Sequence, residues 1–168
     1  MKMLYRSVVV GVLLVFAAVP PEAGACSCLW AGPFLTVGPT ADLVVRGKVL
    51  KYIGKKAGVD LSMDVEVQEV LKGATRAKTI RIWGDDGAMC RPYVSGFPVG
   101  TEWIFAINVL REPRPHEEYY MSVCGAYSLQ IKDAEVIGHI SSKELTIEPQ
   151  TMALDELKAQ FARALPPT

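Results

Sequence analysis

Four cysteines carry the residue chemistry of this chain: Cys26 and Cys28 flank Ser27, and Cys90 and Cys124 stand far downstream. Such thiols pair, bind metal or attack a substrate, and their surroundings decide which. A zinc site needs thiolates kept reduced and imidazoles at ligand spacing. The chain has only His116 and His139, neither spaced as a ligand to the other or to a cysteine pair, so each is read as a surface histidine. In an exported chain the thiols meet an oxidising space, and two disulfides are expected. Three pairings are open; a Cys26–Cys28 bridge would close a strained small ring, which favours the long-range crossed or nested pairings. Closing such loops stabilises by roughly 4 kcal/mol each on the chain-entropy account.

With the cysteines paired, no free thiol nucleophile remains. No phosphate loop, zincin helix, serine elbow or dinucleotide glycine pattern is present. The acidic pairs Asp85-Asp86 and Glu117-Glu118 read as solvated turns without acid–base chemistry, and Asp85-Asp86 lacks the spaced ligand series of a calcium loop. The sequence therefore points away from an enzyme, and no cofactor is expected.

Export follows from the start of the chain. Lys2 and Arg6 precede the apolar run Val8 to Val19, which Pro20-Pro21 stop. That run is too short for a membrane span and suits a signal peptide over residues 1–25. Ala23-Gly24-Ala25 then supplies the small residues that a signal peptidase takes, so cleavage leaves Cys26 first. Lipoprotein processing, with Cys26 acylated, is the competing fate; Ala23 stands where that signal favours a Leu-like residue. The expected location is secreted, periplasmic or extracellular. Residues 26–168 fit one domain. The whole chain has 18 Lys plus Arg against 18 Asp plus Glu, which leaves no basic field to gather nucleic acid.

The elements that must position the cysteines read as mostly β. Ala41 to Ile53 is a Val-rich first strand, with a turn expected at Gly54 and the lysines after it. Met63, Val65 and Val67 alternate with Asp64, Glu66 and Gln68 in a second strand, and Val70-Leu71 breaks the period as a bulge would. Thr79 to Trp83, Trp103 to Leu110 and Tyr119 to Ile131 supply three more. Gly125, inside the fifth, marks a bulge or the close approach of another backbone. Five strands suggest a small barrel. Thr151 is read as the cap of a closing helix in which Leu154, Leu157, Phe161 and Leu165 recur at helical spacing and pack on the barrel.

A terminus Cys26-Ser27-Cys28, then Pro33 and Ala41-Asp42-Leu43-Val44-Val45-Arg46-Gly47-Lys48-Val49, resembles the tissue inhibitors of metalloproteinases, within the wider netrin-like superfamily. The likeness continues through Val65 to Gly73, Cys90, Trp103-Ile104-Phe105 and Cys124 into the terminal helix. It implies a five-stranded OB-fold barrel with a C-terminal helix packed on it, and disulfides Cys26–Cys90 and Cys28–Cys124. This chain departs from those inhibitors in having no cysteine near Gly38-Pro39, where a third disulfide would fall, and no second cysteine-rich domain.

The resemblance also implies a partner, a zinc metalloendopeptidase, and a mechanism. The free α-amino group and carbonyl oxygen of Cys26 would chelate the protease's zinc, with Ser27 in its specificity pocket. Cys28 would pin the segment, Ala88 and Met89 would form a second contact ridge, and the Tyr52 to Leu61 loop a third. The alternatives are a non-inhibitory netrin-like adhesion or protein-binding module, and a lipid-anchored envelope protein of the same fold.

Overall fold

The computed structural model describes residues 27–111, 117–141 and 148–166. Long alternating segments build its centre. Strands β1 (Leu43–Lys56) and β2 (Val59–Lys72) form an antiparallel hairpin, β3 (Thr79–Trp83) pairs with β2, and β4 (Glu102–Val109) pairs antiparallel with β1. β5 (Tyr119–Tyr120) lies parallel to β3 and antiparallel to β4, which closes a five-stranded, OB-fold-like barrel. The expected bulge is present: Val44 opposes Lys72 and Val45 opposes Val70, leaving Leu71 as the extra residue.

The start of β1 and the centre of β4 are buried on both faces, which explains the short apolar runs Leu43-Val44-Val45 and Ile104-Phe105-Ala106-Ile107. Val45, Phe105 and Ile107 point into the barrel core with Met63, Val65 and Ile82. Their neighbours Val44, Ile104 and Ala106 point outward into a second cluster with Phe34, Leu157 and Phe161. That second cluster is closed by α1 (Phe34–Val37) and by α2 (Leu154–Ala164), whose Leu154, Leu157 and Phe161 are buried, as their spacing predicts.

Three readings are corrected. The fifth strand is not continuous: β5 ends at Tyr120, and β6 (Ser128–Lys132) resumes along the same edge of β4. Between them, the Cys124 carbonyl and the Ala126 N–H bond the N-terminal segment. Two further short strands, β7 (Glu135–Gly138) and β8 (Gln150–Ala153), extend the sheet from β6. Thr151 is no helix cap, because it pairs with Ile137 in β8; the helix starts after Ala153, with Asp155 and Glu156 in its first turn facing the helix dipole. The segment Tyr52 to Leu61 is not a loop but the end of the β1–β2 hairpin. Its turn is Ala57-Gly58, both at positive φ as a type I′ turn requires, and cross-strand Lys55–Asp60 and Lys51–Asp64 pairs at 3.6 and 3.8 Å carry the strands past Gly54.

Gly47 sits at a tight point of the barrel wall. A methyl group added there would lie 2.5 Å from Val65 Cγ1 and 2.8 Å from the Glu66 carbonyl oxygen. Gly47→Ala is therefore expected to cost about 2–3 kcal/mol through overpacking, read as a lower denaturation midpoint; a loss below about 0.5 kcal/mol contradicts this packing.

At the β1–β4 seam Arg46 Nη2 donates to Glu102 Oε2 at 2.7 Å, while Gln68 Nε2 donates to Oε1 at 3.1 Å. Chiefly the Arg46 hydrogen bond, then that of Gln68, holds the Glu102 carboxyl below its ordinary range. A carboxyl depressed on folding stabilises above its unfolded pKa, and that contribution is lost as pH falls through the folded pKa. Because the pair is partly exposed, the contribution is under about 1 kcal/mol. Glu102→Gln should lower stability at neutral pH, with the gap to the parent closing as the pH falls below about 4.3. A gap unchanged down to the acid limit would refute this assignment.

Candidate functional site

Ser27, Cys28 and Leu29 are exposed, and Leu29, at 93% exposure, is the most exposed large apolar residue described. Cys28 is bonded to Cys124 with the Cα atoms 5.8 Å apart. Just beyond, the segment lies against residues 124–126. Ala31 N–H donates to Cys124 O at 2.6 Å, and Ala126 N–H donates to Gly32 O at 3.1 Å. Gly125 allows this approach, since a β-carbon there would sit 3.2 Å from Gly32 O and 3.1 Å from Val37 Cγ1. The close approach anticipated at Gly125 is the one observed.

Residues 84–91 form the neighbouring loop, and Asp85 holds it. Only 8% exposed, its carboxylate accepts hydrogen bonds from the backbone N–H groups of Gly87, Met89 and Arg91. The solvated-turn reading of Asp85 is thus corrected: its oxygens are spent on three backbone amides of its own loop. Among the described residues, no group of three or more His, Cys, Asp or Glu side chains is disposed to hold a metal ion. Asp86 faces outward to Lys56 Nζ at 2.9 Å, and that hydrogen bond leads the effects that lower its carboxyl pKa. The loop is thereby tied to the end of the β1–β2 hairpin.

Glu117 is not a free solvated acid either. It pairs with Arg91 at 3.0 Å, both side chains being largely buried, and Arg91 also lies 5.2 Å over the Tyr120 ring. These contacts fasten the loop to β5. Val123 N–H donates to Cys90 O at 3.3 Å. The loop therefore lies beside the Cys28–Cys124 bridge.

Of the sequence-derived site residues, Ser27, Cys28 and Ala88 are exposed along this edge, while Met89 is half-buried. It lines a cavity of about 60 Å³ with Trp83 and Arg91. Cys90 is disulfide-bonded; its expected partner Cys26, together with the expected signal peptide and His116, lies outside the described residues. The surface reading of His139 is corrected: it is half-buried with its ring edge-on to Trp30, the centroids 5.8 Å apart. Sequence reasoning missed Leu29, although its place directly after Cys28 was a usable signal. It also missed Val123, 42% exposed on the other side of the bridge.

No described helix is long and apolar enough to cross a membrane. Compared with known proteins, the chain matches no family profile, and no curated protein sequence matches it.

Proposed function

We propose that the mature protein is a secreted, non-enzymatic inhibitor of zinc metalloendopeptidases that works through the terminus beginning at Cys26. The observation that carries this reading is the exposed Ser27-Cys28-Leu29 edge, anchored by the Cys28–Cys124 bridge beside the braced loop 84–91. A catalytic zinc keeps one position open. A neutral α-amino group and the carbonyl oxygen of Cys26 form a chelate for it, with no side-chain ligand required. Ser27 then enters the specificity pocket, and Ala88 with Leu29 adds flanking contact. An edge fixed in advance loses little ordering entropy on binding. The free α-amino group titrates at about 7.7–8.0, and the metal displaces its proton near neutrality, so inhibition weakens as the pH falls. The sequence likeness to the tissue inhibitors of metalloproteinases supports the same reading.

Titrating exported, Cys26-initiated protein against a broad panel of zinc endopeptidases tests it. Stoichiometric loss of activity in at least one enzyme is expected; no inhibition anywhere in the panel overturns the reading. The apolar pair Leu29 and Val123, exposed on either side of the bridge, favours a second reading, a non-inhibitory netrin-like adhesion or protein-binding module. Intact mass separates both from a lipid-anchored form, whose acylated Cys26 amine could not chelate zinc.

A further inference from the structure

Behind the Cys28–Cys124 bridge lies a cleft of about 360 Å³, bounded by the N-terminal segment, the break between β5 and β6, and β7. Its volume falls within the range of small-molecule sites, which are mostly apolar and aromatic with a few polar groups. Trp30, Trp103, Met121, Tyr127, Ile137 and His139 are among its walls. Trp103 is rigidly held: its Nε1–H donates to Thr101 Oγ1 at 2.7 Å, and its ring stacks on Phe105 at 6.3 Å. Burial keeps the Tyr127 hydroxyl protonated well beyond neutral pH.

Two further features narrow the occupant. Among the described residues the lining has no Asp, Glu, Lys or Arg, so none of them compensates a buried ligand charge. The edge-on rings of Trp30 and His139 each carry a buried nitrogen, Nε1 and Nδ1, without a hydrogen-bond partner among the described residues. Buried polar atoms of this kind are uncommon, and each costs stability until paired.

We propose that this cleft binds a small neutral aromatic compound bearing one hydroxyl or carbonyl oxygen. The ring lies against the walls formed by Trp103 and Tyr127, and a turn of the Trp30 or His139 side chain, whose nitrogens are covered in the unliganded protein, brings Nε1 or Nδ1 to the oxygen. The site shares Val123 with the rim of the exposed edge, and its occupancy does not depend on protease inhibition.

The three tryptophans make the test internally controlled, since Trp30 and Trp103 line the cleft and Trp83 does not. The mature, fully disulfide-bonded protein is titrated with 4-ethylphenol, ethylbenzene and 4-ethylbenzoate while the indole N–H resonances are followed by NMR. Saturable shifts at Trp30 and Trp103, with Trp83 still, are expected for 4-ethylphenol. Ethylbenzene should bind about three- to tenfold more weakly for want of one hydrogen bond, and 4-ethylbenzoate weaker still. Ser128→Phe, which fills the cleft, should abolish the shifts. Should that variant misfold, His139→Ala should instead narrow the difference between the phenol and ethylbenzene. The proposal is overturned if 4-ethylphenol gives no saturable shift, if all three indoles move alike, if the benzoate binds as well as the phenol, or if a folded Ser128→Phe protein binds unchanged.

Discussion

Replacing Cys28 and Cys124 together by serine is expected to lower the unfolding free energy by about 4–5 kcal/mol. The bridge joins residues 96 apart, and on the chain-entropy account a loop of that length restrains the unfolded chain by about 4.7 kcal/mol. Native contacts add to this. The bridge holds the N-terminal segment where Ala31 and Gly32 exchange backbone hydrogen bonds with residues 124 and 126, and where Trp30 meets His139. Without the bridge, the edge at residues 27–29 loses its covalent anchor to residue 124 and with it part of its fixed geometry. Denaturant unfolding should show the loss as a lower midpoint. Inhibition should weaken even under conditions in which the barrel remains folded. A loss below about 1 kcal/mol would mean that the bridge restrains neither the unfolded chain nor the segment.

Asp85→Ala is the second large effect expected, at about 3 kcal/mol. Three backbone N–H groups converge on this one carboxylate. Hydrogen bonds to a charged group are individually worth about 1.5–3 kcal/mol, and stranded donors cost comparable amounts. The full sum is not expected, because a loop released to solvent finds water for its amides. Asp85→Asn, which keeps one carbonyl oxygen in place, should recover part of the loss. Amide exchange at Gly87, Met89 and Arg91 should accelerate in the alanine variant and less in the asparagine one. Unchanged exchange at all three would show that the loop is held by something other than Asp85.

The barrel was legible because its long strands carry their own pattern. β3 was bounded correctly at Thr79 and Trp83, and the bulge at Leu71 was visible as a break in alternation. Other features depend on partners remote in sequence. β7 and β8 are four residues each, with mixed polarity, and exist because β6 offers them an edge. The fifth strand breaks because residues 124 and 126 bond the N-terminal segment, a choice no local propensity records. Thr151 has the composition of a cap, yet ladder pairing with Ile137 claims it. At the site, the Cys28–Cys124 pairing implied by family resemblance is the one present. Asp85 and Glu117 were misread because short acidic pairs in turns are usually solvated; their burial comes from inward amides and from Arg91.

The most direct test of the proposed function compares two forms of the exported protein differing by one residue. One begins at Cys26, and the other carries a single alanine ahead of it. Their inhibition constants are measured side by side against a zinc endopeptidase that responds to the first, with intact mass confirming each terminus. Chelation through the α-amino group predicts potent inhibition by the first form and a loss of at least a hundredfold in the second, about 2.7 kcal/mol of binding. Equal inhibition by both forms would contradict it, since the amine would then have no part in holding the metal.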